Sequence, residues 1–91
     1  MTLRYRRHPE LRLTALDEAG VALHLGTRRY YSVNESGVDL LDALAAPRTL
    51  EELVAVLTAK YEVTPETASA TAREFLERGV RAGVLLVEDT P

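Results

Sequence analysis

The feature that most constrains this chain is a change of hydrophobic period at Asn34. Before it, apolar residues alternate with polar ones; after it, they recur every three or four positions. A chain divided in this way puts a small sheet and a set of helices around one core, because neither half hides its apolar face alone. Ninety-one residues allow one such core and not two.

The extended half reads as three strands. Leu11, Leu13 and Ala15 alternate with Arg12 and Thr14, and Asp17-Glu18-Ala19-Gly20 supplies a turn in which Gly20 is free to take positive φ. Val21, Leu23 and Leu25 then alternate with Ala22 and His24, which places the aliphatics inward and His24 outward. Gly26-Thr27 breaks that strand, and Arg28-Arg29-Tyr30-Tyr31-Ser32-Val33-Asn34 forms the third. Tyr31 and Val33 share a face with Arg29, while Arg28, Tyr30 and Ser32 point the other way. Short turns make the arrangement an antiparallel meander.

The second half carries helix punctuation. Asn34 caps a first helix over Glu35–Leu44, with Val38, Leu41 and Leu44 inward and Pro47 beyond its end. Thr49 and Glu52 form a capping box for a second helix with the stripe Leu53, Val54, Leu57 and Tyr61. Thr64 caps a third, Pro65 takes its first position, and Gly83 ends it after Ala68, Ala72, Phe75, Leu76 and Val80. Val84–Val87 is a closing strand or an extended tail. The fold class is α+β: a three-stranded antiparallel sheet followed by three helices, like a winged helix-turn-helix. Residues 1–10 form a flexible N-terminal arm and residues 11–87 the domain.

Composition removes several functions. Without cysteine there is no disulfide and no thiolate metal site, which suits a reducing cytoplasm. No apolar run approaches the roughly 20 residues that cross a bilayer, and the basic N-terminus is followed by no apolar signal region, so no membrane role is expected. His8 and His24 have no Cys, Asp or Glu at ligand spacing, and no phosphate loop, nucleophile elbow or zinc-protease motif occurs. Glu51 and Glu52 sit in the first turn of a helix, where its dipole favours them. The chain is therefore expected to be no enzyme and to need no cofactor or metal.

Charge weighs on the remaining choices. Residues 1–33 hold six basic side chains against three acids, leaving +3 there and −6 in the rest of a chain of net charge −3. The fold permits a small winged-helix DNA-binding regulator as an alternative. On the third helix, however, Glu66, Glu74 and Glu77 cancel Arg73, Arg78 and Arg81, and phosphate recognition needs a basic face. No nucleic-acid partner is expected. What remains is the third strand, an edge whose free N–H and C=O groups are a template for another chain. Arg28 and Arg29 either blunt that edge or steer an acidic peptide to it.

The run Tyr30-Tyr31-Ser32-Val33-Asn34, then Gly37, Leu40-Leu41, Thr49-Leu50-Glu51-Glu52-Leu53, Tyr61-Glu62-Val63, Phe75-Leu76 and Gly83-Val84-Leu85, resembles PqqD-like proteins over roughly residues 11–87. These are the recognition elements of pathways to ribosomally synthesised, post-translationally modified peptides (RiPPs). The chain looks most like the stand-alone recognition protein of lasso-peptide biosynthesis. Val38-Asp39 stands where many members have an apolar residue and Trp, which sets it apart from quinone-cofactor members. The resemblance implies that a precursor leader peptide binds as an added strand. The strand is Arg28, Arg29, Tyr30, Tyr31, Ser32 and Val33, and the facing helix offers Ala68, Thr71, Ala72, Phe75 and Arg78. It also implies a separate cysteine leader peptidase and a cyclase as partners, with this protein a monomer or part of a hetero-complex.

Overall fold

In the computed structural model, which describes residues 2–90, the chain runs β1 (Thr2–Arg7), β2 (Leu11–Ala15), β3 (Ala19–His24), β4 (Arg29–Asn34), α1 (Glu35–Ala43), α2 (Leu50–Lys60), α3 (Pro65–Ala82) and β5 (Leu85–Thr90). The strands form two antiparallel sheets, β2-β3-β4 and β1-β5. Helix starts follow the punctuation. The Asn34 side chain accepts from the Gly37 N–H at 2.9 Å. Thr49 and Glu52 exchange hydrogen bonds of 2.9 and 3.2 Å, and Thr64 accepts from the Thr67 N–H at 3.2 Å. Gly83, at φ 79°, ends α3 in the left-handed region that glycine tolerates best.

The core lies between the three-stranded sheet and the helices. Leu40, Leu44, Leu53 and Leu85 are its largest fully buried side chains, and Ala68, Ala72 and Leu76 face it from α3. Helix α1 packs on β3 and β4, whereas α3 packs on α2 and β5. The two small alanines let α3 come close to its neighbours, but on the β4 side it leaves a gap.

Five expectations are corrected. The segment expected as a flexible arm is strand β1, paired with β5 from Thr2↔Thr90 to Arg7↔Leu85; Met1 lies outside the described residues. Its backbone is anchored on both sides. Tyr5 exchanges hydrogen bonds of 2.7 and 2.9 Å with Arg48, and Arg6 Nε meets Glu88 Oε1 at 2.5 Å.

The phase of β3 is the reverse of the expected one. Gly20, Ala22 and His24 are buried, while Val21 and Leu23 are only half-buried and Leu25 is exposed. Size explains this better than hydrophobicity. A Cβ on Gly20 would stand 2.7 Å from Val38 Cγ2 of α1, so the central strand presents small residues to the helix. The apolar bulk comes from either side, since Ala22 lies between Leu13 of β2 and Tyr31 of β4. His24 is covered by the ring of His8, 4.4 Å away between centroids. Its Nδ1 accepts the N–H groups of Gly26 and Thr27 at 3.1 and 3.2 Å.

Gly20 therefore serves close packing and not a positive-φ turn. The positive φ belongs to Arg28, at 61°, which sits in the β3–β4 turn and not in the strand, its N–H bonded to the His24 carbonyl at 2.7 Å. On α3, Val80 is 39% exposed, and Gly79 takes the inward position against Leu85.

Candidate functional site

Strand β4 alternates as its sequence dictates. Tyr31 and Val33 are half-buried against the core, and Tyr30 on the opposite face is 71% exposed. Its inner neighbour is β3, and among the described residues no strand pairs with its other side. Alternate N–H and C=O groups of β4 therefore point into open space.

Next to this open edge is a groove of about 980 Å³. Its floor is apolar: Leu11 and Ala22 from the sheet, Leu40 and Leu41 from α1, and Phe75 from α3. One rim is Ser32, Asn34 and Ser36, and the other is Thr71, Glu74, Arg78 and Ala82. The groove exists because α1 wedges under β4 and holds the strand away from α3. Gly37 makes the wedge possible: a Cβ there would lie 2.5 Å from Val33 Cγ1 and 3.5 Å from Phe75 Cε1. On the α3 rim, Arg78 and Glu74 approach to 3.6 Å and are each about three-quarters exposed, so they neutralise one another at little energetic gain.

The floor is braced from behind. Asp39 of α1 accepts the Tyr61 hydroxyl at the end of α2 and holds Lys60 Nζ at 2.9 Å. Burial pushes the Asp39 carboxyl up, but the hydrogen bonds from Tyr61 and Lys60 and the Lys60 charge outweigh it and leave it below the ordinary value. The same hydrogen bond to Asp39, with burial second, pushes the Tyr61 phenol up to about 12. This clamp fixes α1 on α2 and hence the position of Leu40 and Leu41.

Of the residues expected to bind a peptide, Tyr31, Ser32, Val33, Thr71, Phe75 and Arg78 line this one groove. Arg28, Arg29 and Tyr30 do not line it; they lie exposed around the start of β4. Ala68 and Ala72 are 1% and 0% exposed and belong to the core, two turns and one turn before the core residue Leu76. The floor residues Leu11, Ala22, Leu40 and Leu41 were not anticipated as site residues. Their signal in the sequence is that of any core residue. A second hollow of about 560 Å³, on the other flank of α3 between Tyr5, Leu50, Val80 and Val87, contains none of the expected residues. Among the described residues, no group of three or more His, Cys, Asp or Glu could hold a metal, and no helix is long and apolar enough to cross a membrane.

Residues 19–85 match the family model described as Coenzyme PQQ synthesis protein D (PqqD). Two solved structures have the same fold. One, "TbiB1 in Complex with the TbiA(beta) Leader Peptide", is 25% identical, with a TM-score of 0.78 over 88% of this chain and 93% of that one. The other, "Lasso peptide synthetase B1 complexed with the leader peptide", is 21% identical, with a TM-score of 0.76 over 90% of this chain and 96% of that one. Among curated proteins no sequence matches.

Proposed function

This chain belongs to the PqqD family, and from that premise we propose that it is a non-catalytic recognition element that binds the leader region of a ribosomally made precursor peptide. The leader adds as a strand to the open side of β4 and lays its side chains into the groove beside α3. The protein then presents the precursor to a separate cysteine leader peptidase and to a cyclase of lasso-peptide biosynthesis, as a monomer or within a hetero-complex. Neither a cofactor nor a metal takes part.

The observation that carries this reading is the coincidence of an unpaired strand edge with an apolar groove. An open edge supplies sequence-independent main-chain hydrogen bonds, and a groove beside it reads alternate side chains of the added strand. Tyr31, Val33 and Phe75 give the groove its apolar wall, Ser32 and Thr71 offer hydroxyls at the rims, and Arg78 closes the far end. Ala68 and Ala72 act indirectly, by setting how α3 lies. The two solved structures named above each hold a leader peptide, which supports the same ligand class here.

One strand and a few pockets bury limited area, so the dissociation constant is expected between about nanomolar and micromolar. Fluorescence anisotropy tests this with a labelled leader from a short reading frame adjacent to the gene. Saturable binding is the expected result, and it is lost when Tyr31 or Val33 is replaced by proline, which breaks the strand. No binding at high micromolar protein overturns the reading. A labelled DNA duplex serves as control; tight binding that falls steeply with salt would instead favour a DNA-binding regulator.

A further inference from the structure

The open edge of β4 is electrically polarised from one end to the other. At its start, Arg28 and Arg29 are exposed, and neither forms an ion pair among the described residues. Turn chemistry does not account for Arg28: at φ 61° glycine or asparagine would be less strained. Arg12 adds a third positive charge in the row Arg12–Leu23–Tyr30, two strands across. Glu10 is the acid at this end, with Oε1 beside Gly26.

The other end is negative. β4 finishes with Asn34 opposite Ala19, which Asp17 and Glu18 immediately precede, and Glu35 follows Asn34. Lys60 approaches Glu35 to 4.0 Å but is held more closely by Asp39, so acids remain in excess. Between the two ends, Tyr30 to Val33 carry no charge, and Glu74 and Arg78 on the opposite rim cancel. A six-residue strand is about 20 Å long. That is more than two Debye lengths at physiological ionic strength, about 8 Å each, so a bound strand feels each end separately.

We propose that this polarity is a specificity device, an inference that rests on the peptide-binding reading above. The added strand carries its acidic residues at the end beside Arg28 and Arg29, and is neutral or basic at the end beside Glu35. The charges thereby fix the direction and register that the repeating backbone pattern leaves open. If the arginines only guard a bare edge, peptide charge order has no effect.

The test is selection of 14-residue peptides from a displayed random library on the full chain. Enriched peptides are then synthesised, together with partners whose charged ends are exchanged. The expected result is Asp and Glu concentrated at one end. Exchange then weakens binding about tenfold at low salt, as two or three exposed ion pairs would, and less than twofold at 1 M salt. The R28E/R29E variant reverses the preference. R28G/R29Q, in which glycine suits the left-handed φ, abolishes it while thermal stability is retained. Binders without end bias, or a bias unchanged in both variants, overturn the polarity and leave peptide binding standing. A library that yields no binder overturns both together.

Discussion

Replacing Gly37 by alanine sets two effects of known size against each other. Alanine is the better helix former by about 0.8–1.0 kcal/mol, which argues for stabilisation. Its Cβ, however, would stand 2.5 Å from Val33 Cγ1 and 3.1 Å from Asn34 Oδ1. Carbon contacts settle near 3.5–4.0 Å, so Val33 or the first turn of α1 must retreat by about 1 Å. Val33 is β-branched and in a strand, so its side chain does not rotate freely out of the way. Overpacking of this kind costs about 1–3 kcal/mol, which exceeds the propensity gain. The expected balance is a net loss of about 1 kcal/mol and a Tm lower by about 4–8 °C. Because Val33 and Phe75 wall the groove, leader affinity should fall with stability. Thermal melts of G37A, V33A and the double variant decide the matter. Removing Cγ1 makes room for the new methyl, so the double variant should be more stable than the sum of the single changes predicts. A G37A protein that melts higher than the parent and binds as well would refute the wedge.

Two further predictions concern the frame around the groove. The Tyr61 phenol, raised from 10.0 to about 12, keeps its hydrogen bond to Asp39 intact below pH 10 and loses it as pH rises through about 12. Absorbance at 295 nm should therefore show one late-ionising tyrosine that moves to lower pH in D39N; coincident curves for the two proteins would show that the clamp is absent. Replacing Thr49 by alanine removes the capping box at the start of α2 and should cost about 1 kcal/mol. Urea unfolding should show a lower midpoint at unchanged slope.

How far the fold can be read in advance depends on which physical rule governs each segment. Caps are local: Asn34, Thr49, Thr64-Pro65 and Gly83 each act within one helical turn, and each helix begins or ends where they stand. The phase of β3 is not local. Val21, Leu23 and Leu25 are the more apolar set, yet Gly20 and Ala22 face inward, and at Gly20 the small size is required by Val38 of α1, eighteen residues later. Strand β1 was hidden for a similar reason: its partner β5 is at the other end of the chain, and a basic segment gives no sign of that pairing. In the candidate site, the half that lies on β4 and the flank of α3 is legible from alternation and helical spacing. The floor is not, because Leu11, Leu40 and Leu41 look like any other core residues, and only the gap between β4 and α3 exposes them to a groove.

The central claim is that a leader peptide pairs with the open side of β4. Amide hydrogen exchange, followed residue by residue with and without the bound leader, tests it most directly. The account predicts slowed exchange at alternate positions of Arg29–Asn34, with smaller effects on the α3 flank around Thr71–Arg78 and none on β1 or β5. Protection confined to β1, β5 or the hollow beside Val80, with β4 unchanged, would contradict it.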